Sequence, residues 1–283
     1  MAKQILFSDS KPIPAIGQGT WYMGENSAQH VDEVNALRAG LDLGLTLIDT
    51  AEMYANGGAE KVVGEAISGR RDEVFLVSKV YPWNAAGQSA ITACENSLKR
   101  LKTDYLDLYL LHWRGDIPLE ETVSVMQHLL AQGKIRRWGV SNLDYSDMQE
   151  LWGVAGGREC ATNQVLYHLA SRGIEYDLLP WCQQQNMPVM AYCPLAQAGR
   201  LRSGLMNDPA LNHLAKQKGA TVAQLLLAWV IHHEGVVAIP KAGSVAHVKE
   251  NAAVLEIELS QEEIELMEKA FPALGRKTPL DMV

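Results

Sequence analysis

The sequence predicts an α/β fold whose parallel strands close into a (β/α)8 TIM barrel, with an N-terminal β-hairpin plugging the barrel bottom. Three observations carry that expectation. Short apolar or β-branched runs alternate with longer segments whose apolar residues recur at helical spacing; the runs number eight; and 283 residues with 47% hydrophobic content can bury one large core. A single domain over residues 1–283 is expected, because no Gly/Ser linker, low-complexity segment or strong composition shift divides the chain.

Taken in order, "QILFSDSKPIPAIG" sets a turn cluster, Ser8 to Lys11, between two short apolar runs and reads as the hairpin. The expected barrel strands are "AIGQG" (15–19), "LTLID" (45–49), "VFLVSKV" (74–80), "YLDLYLLH" (105–112), "IRRWGVS" (135–141), "ATNQV" (161–165), "PVMAY" (188–192) and "VVAIP" (236–240). Helical spacing marks Val31 to Leu43, Ala90 to Leu101, Leu119 to Gln132 and Ser244 to Leu255, with a last helix from Gln261 to Ala270. The competing architecture is an open doubly wound sheet. A dinucleotide-binding sheet of that kind carries GxGxxG at an early strand-to-helix turn, and "GQGTWYMG" (17–24) has the wrong spacing, which weighs against it without eliminating it.

Net charge is −8 with no basic run, so the electrostatic footprint of a nucleic-acid or anionic-membrane binder is missing. The N-terminus lacks a signal-type apolar core, and "VAQLLLAWVI" (222–231) is about half of a bilayer span. A soluble, cytoplasmic protein is expected. Cys94, Cys160, Cys182 and Cys193 show neither CxxC nor Cys/His spacing, which reads as reduced, mostly buried thiols with no metal site. No heptad seam stands out, and the expectation is a monomer.

In such barrels catalytic groups project from the C-terminal ends of several strands. Here Asp49 ends the second strand, Lys79 lies near the end of the third, His112 ends the fourth, and Ser141 and Asn142 end the fifth. Gln164 lies near the end of the sixth, Tyr192 ends the seventh and Lys241 follows the eighth. Each alone reads as a structurally paired polar group. Together they are harder to explain that way, because burying charge without a partner is costly. If Asp49, Tyr54, Lys79 and His112 converge, Lys79 favours the Tyr54 phenolate and lowers its pKa, Asp49 keeps Lys79 charged, and Tyr54 becomes a proton donor. His112 could then donate a hydrogen bond to a carbonyl oxygen. No activated Ser or Cys with a matching base supplies an attacker, which makes hydride from a nicotinamide the economical choice.

The motifs "IGQGTW", "IDTAEMY…E…VGEAI", "VSKV", "DYLDLYLLHW", "GKIRRWGVSN", "NQVLYH", "AYCPLA" and "IPKAGSVAHVKEN" follow one family's order and spacing. The chain resembles the aldo-keto reductases over nearly its whole length, and most of all bacterial members that reduce small aldehydes and dicarbonyls such as methylglyoxal. The resemblance implies a catalytic tetrad of Asp49, Tyr54, Lys79 and His112, with Tyr54 as general acid. It also implies that Ser141, Asn142 and Gln164 bind a carboxamide, Tyr192 stacks beneath the nicotinamide ring, and Leu195 follows the pyrophosphate path beside Gly19 and Thr20. Lys241 and Ser244 are implied as phosphate partners, and Glu250 and Asn251 as adenine contacts. His247 stands where better-known members place Arg, and a histidine is a weaker, pH-dependent phosphate partner that softens discrimination against NADH; with Lys241 and Ser244 still in place NADPH is expected, with NADH less favoured.

The same resemblance places Trp21, Tyr81 and Trp113 at the substrate mouth, while Trp83 reads as ordinary packing. The tail "FPALGRKTPLDMV" is expected to leave the pocket open to a small-molecule carbonyl substrate. Two alternatives remain at this level: a slow NADPH-binding sensor or partner-binding subunit on the same fold, and a barrel lyase using Lys79 as a Schiff-base nucleophile.

Overall fold

Eight parallel strands form one sheet in which sequence neighbours are also neighbours in space: β3 (Gln18–Gly19), β4 (Leu47–Asp49), β5 (Phe75–Val80), β6 (Leu108–Leu111), β7 (Trp138–Ser141), β8 (Asn163–Leu166), β9 (Val189–Tyr192) and β10 (Val236–Ala238). In this computed structural model, which describes residues 3–7 and 10–283, the sheet closes on itself. Parallel bridges join Ile16 to Ala238 and Gly19 to Lys241, and the Gly17 and Gly19 amides donate to Ala238 and Pro240 carbonyls at 2.8 and 3.0 Å. Closure removes both sheet edges, so the barrel replaces the open-sheet alternative.

The hairpin consists of β1 (Gln4–Ile5) and β2 (Ile13–Pro14), paired antiparallel. Phe7 is fully buried and stacks on Phe75, the first residue of β5, at 5.0 Å between ring centroids, which seats the hairpin at the strands' N-terminal end. Of the expected turn cluster, Ser8 and Asp9 lie outside the described residues.

The helices are α1 (His30–Asp42), α2 (Gly58–Ala66), α3 (Gly87–Leu101), α4 (Leu119–Ala131), α5 (Tyr145–Gly153), α6 (Leu178–Gln184), α7 (Arg200–Asn207), α8 (Pro209–Lys218), α9 (Val222–His232), α10 (Val245–Ala253) and α11 (Gln261–Ala270). Local chemistry sets several of their ends. Capping boxes start α5 (Asp144 with Asp147), α9 (Thr221 with Gln224) and α11 (Ser260 with Glu263), each satisfying amides that a helix N-terminus otherwise leaves bare. Most of α9 is buried, which explains a stretch apolar on every side. No helix of the described residues is long and apolar enough to cross a membrane. Cys94, Cys160 and Cys182 are buried, Cys193 is half-buried, and all four are free.

Candidate active site

Asp49 ends β4 and Lys79 occupies the neighbouring β5, and both side chains are buried from solvent. Lys79 Nζ donates to Asp49 Oδ2 at 2.7 Å, to the Thr50 carbonyl at 2.8 Å and to Tyr54 Oη at 3.1 Å, so the ammonium's three donors are all used. The second carboxylate oxygen, Asp49 Oδ1, accepts from Gln164 Nε2 at 2.8 Å. A buried charge pair persists only when such bonds offset the loss of water.

The turn after β4 delivers Tyr54. Ala55, Asn56 and Gly57 follow with φ of 50°, 52° and 82°, three successive residues in the left-handed region. Only glycine adopts that region without strain, at roughly 1–2 kcal/mol for other residues. At Gly57 a side chain is excluded twice over, because a Cβ would also stand 2.5 Å from Arg100 Cδ. The reversal points the phenol into the barrel mouth and starts α2 at once.

Electrostatics depart from one expectation. Burial, reinforced by the Asp49 charge, pushes the Tyr54 phenol well above its ordinary value instead of below it. Burial also lowers the Lys79 ammonium, an effect that Asp49 opposes. Desolvation of the phenolate outweighs the lysine at 3.1 Å, and the group is held as a protonated donor. His112 is pushed down to about 2, first by burial and then by Lys79, so its imidazole is neutral. Its Nδ1 is buried with no hydrogen-bond partner among the described residues. The ring meets Tyr54 edge-on at 5.8 Å.

The opposite wall comes from β7, β8 and β9. Ser141 Oγ donates to the Gln164 carbonyl at 2.8 Å, and Tyr192 Oη donates to Asn142 Oδ1 at 2.9 Å. Asn142, at φ 57°, returns its amide to the His112 carbonyl at 3.2 Å. These side chains and the tetrad therefore form one connected polar set. Ser141, Asn142, Gln164 and Tyr192 face, with Tyr54 and His112, a cavity of about 210 Å³ that Trp21, Met53, Trp113, Met282 and Val283 also line.

Two expectations are corrected. Tyr81 stacks on Trp83 at 4.4 Å and meets the lining residue Trp113 edge-on at 6.0 Å, beside the mouth. Trp83 is no packing residue, being 63% exposed. The C-terminal tail does not leave the mouth open. Lys277 bridges Asp144 and Asp177, Asp281 accepts from Ser171 Oγ, and the Val283 backbone lies beside the Tyr192 hydroxyl. Those anchors bring Met282 and Val283 into the cavity. Neither residue is legible in the sequence, because the tail's anchors join partners 100 or more positions apart; the acidic and hydroxyl residues in "PLDMV" and "SRG" carry no local signal of pairing.

A second cavity, about 340 Å³, adjoins the first at Trp21, Tyr54 and Tyr192 and runs along Gly19, Thr20, Leu195 and Lys241. Thr20 Oγ1 is buried and donates to the Asp49 carbonyl at 2.9 Å, tying the groove's floor to the tetrad. Its outer wall includes Arg202, a cation on the mostly exposed α7 that no sequence motif marks. Ser244, His247, Glu250 and Asn251 lie beyond this groove, on and before α10. Ser244 caps that helix at the His247 amide, while the His247 and Glu250 side chains are exposed.

A barrel with a buried Asp–Lys–Tyr relay and a neutral histidine at one mouth defines a class, and residues 15–271 match the Aldo/keto reductase family. The chain belongs to that family. It is 69% identical over 281 residues to methylglyoxal reductase YeaE of Escherichia coli strain K12, covering 99% of each chain. It is 35% identical to glyoxal reductase of Bacillus subtilis strain 168, over 89% of this chain and 87% of that one. The crystal structure of an aldo-keto reductase from Klebsiella pneumoniae in complex with NADPH superposes with a TM-score of 0.98 at 66% identity, covering 100% of both chains.

Proposed function

We propose that the chain is an NADPH-dependent reductase of small aldehydes, ketones or dicarbonyls such as methylglyoxal, working as one barrel domain and as a monomer. The observation that carries this reading is Lys79 Nζ held between Asp49 and Tyr54, with Tyr54 and the neutral His112 lining the same cavity. The cofactor suits the residues present. Ser141, Asn142 and Gln164 offer hydroxyl and amide groups at one wall, Tyr192 offers a ring, and the adjoining groove leads to the exposed Lys241.

NADPH held there supplies the hydride. Tyr54 donates its proton to the carbonyl oxygen as that oxygen gains negative charge, and Lys79 stabilises the phenolate that remains. His112, being neutral, orients the carbonyl through a ring N–H without adding charge. Asp49 and Gln164 hold Lys79 in place from behind. Trp21, Trp113, Met53, Met282 and Val283 give the pocket apolar walls around this polar floor, which suits a small carbonyl compound. Lys241 and Ser244 would take the nucleotide's extra phosphate, with His247, Glu250 and Asn251 further along.

The two other readings lose ground on geometry. A Schiff-base role needs a free amine, whereas Lys79 has no exposed surface and all its donors are engaged. A silent sensor has no need of a connected proton donor. The deciding experiment follows nicotinamide absorbance with methylglyoxal, supplying NADPH and then NADH, for the wild type and Tyr54→Phe. Rapid NADPH consumption abolished in the variant supports the proposal. NADPH binding without oxidation across a carbonyl panel would overturn it in favour of the sensor.

A further inference from the structure

Away from the catalytic mouth, a second group of chemistry-bearing side chains has no part in carbonyl reduction. His232 ends α9, His233 follows it, and Glu268 lies on α11; all three are half-buried, and one ligand atom from each lies within 4.8 Å of the others. We propose that His232, His233 and Glu268 form a binding site for a borderline divalent transition ion of the zinc class, which would clamp the end of α9 to α11.

The hydrogen bonds around the two rings leave a lone pair on each. His232 Nδ1–H donates to the Trp229 carbonyl, so its free nitrogen is Nε2. For His233 the partner decides: Tyr167 Oη donates its only proton to Glu175 Oε1 at 2.8 Å, so it can only accept from His233 Nε2–H at 2.6 Å. That leaves His233 Nδ1 as the lone-pair nitrogen. Metal-bound histidines characteristically use the other ring N–H on a carbonyl or similar acceptor, which fixes the tautomer in advance. Here both histidines are already so held.

Glu268 completes the set. Its Oε1 meets Arg172 Nη2 at 3.1 Å, which leaves the second oxygen for a ligand. Arg172 is mainly occupied elsewhere, pairing with Glu175 through two bonds of 2.8 Å. The charged groups facing the site are therefore Arg172 and Lys3 on one side and Glu175 and Glu268 on the other.

Two imidazoles and one carboxylate, with open positions for water, suit zinc, cobalt or nickel better than the oxygen-loving magnesium or calcium. Bonds of roughly 2.0–2.1 Å put tetrahedral ligand atoms about 3.3 Å apart, so the side chains must close by up to about 1.5 Å. Half-buried groups at a helix end have room for that. The site rests on residues outside the reductase proposal and stands or falls without it.

The test titrates Co2+ into the purified full chain, following its visible absorption, and Zn2+ by calorimetry, for the wild type, His232→Ala and Glu268→Gln. The proposal expects one saturable ion per chain, a rise in melting temperature with Zn2+, and at least about tenfold weaker binding in each variant. Glu268→Gln keeps an oxygen for Arg172, and metal-free melting curves show whether each variant is folded. If either alanine or glutamine variant fails to fold, His233→Gln replaces it. Cys193→Ser serves as the thiol control. No saturable binding to the wild type, equal affinity in the folded variants, or binding lost only with Cys193 would overturn the proposal.

Discussion

The two ends of the long groove are built in opposite ways. At the tetrad end, Asp49 and Lys79 are buried, joined to each other, to Tyr54 and to Gln164, and supplied by separate strands. At the α10 end, the Lys241 and His247 side chains are exposed, and the bonds that order the segment run through its backbone, from the Lys241 bridge to Gly19 to the Ser244 cap and the Gln224 bond to the Glu250 carbonyl. Rigid strands hold groups to a fraction of an ångström, as the proposed proton transfer requires, while long exposed side chains suffice for the proposed capture of a phosphate by charge. On that proposal, substitutions at the two ends should fail in different ways.

The largest separation comes from Tyr54→Phe. Turnover should fall by about 10²–10⁴-fold with NADPH affinity unchanged, since only the proton donor is lost. Parallel loss of NADPH binding, read by fluorescence titration, would show that the two ends are not independent.

A lysine at each end allows a matched pair. Lys79→Met strands the Asp49 carboxylate in the core and should destabilise the fold by about 3–5 kcal/mol in urea unfolding. Lys241→Met should leave stability within about 0.5 kcal/mol and raise the KM for NADPH about tenfold, with the KM for NADH unmoved. Equal effects on both cofactors would remove the phosphate role of Lys241.

Acid sharpens the contrast further. In the unfolded chain a histidine titrates near 6.5, but His112 is lowered to about 2 and His168 to about 4, both chiefly by burial. Between those values the unfolded chain binds more protons than the folded one, so stability rises with pH and is lost as pH falls below about 6.5. Each histidine should contribute about 1.4 kcal/mol per pH unit in the steep range, with His168 levelling off below about 4. His112→Gln should flatten the dependence of the urea midpoint between pH 6 and 4; an unchanged slope would count against a neutral buried imidazole.

The smallest effect is expected from deleting Met282 and Val283. Methylglyoxal reduction should change by less than about tenfold, while carbonyls with bulkier substituents should gain, as steady-state kinetics would show.

Much of the strand end of this arrangement was legible because apolar runs ending in Asp49, Lys79 and His112 announce buried strands with polar tips. Boundaries were less so. "YLDLYLLH" shrinks to Leu108–Leu111 because Leu106 makes only an isolated bridge to Ile135, and Asp107 turns to Arg71. α7 was not legible, since it is only eight residues long, carries Gly204, and buries only Leu205. The tail escaped for another reason. Its course depends on Lys277 meeting Asp144 and Asp177, pairings set by the finished barrel and not by any local pattern.

The left-handed turn behind Tyr54 sets a trap for anyone seeking a more heat-resistant variant. Ala55 sits at φ 50°, so a screen for thermostability would find Ala55→Gly attractive as relief of backbone strain. The same substitution gives the segment freedom to swing the phenol away from Lys79. Selection for robustness and selection for turnover would then pull one residue in opposite directions.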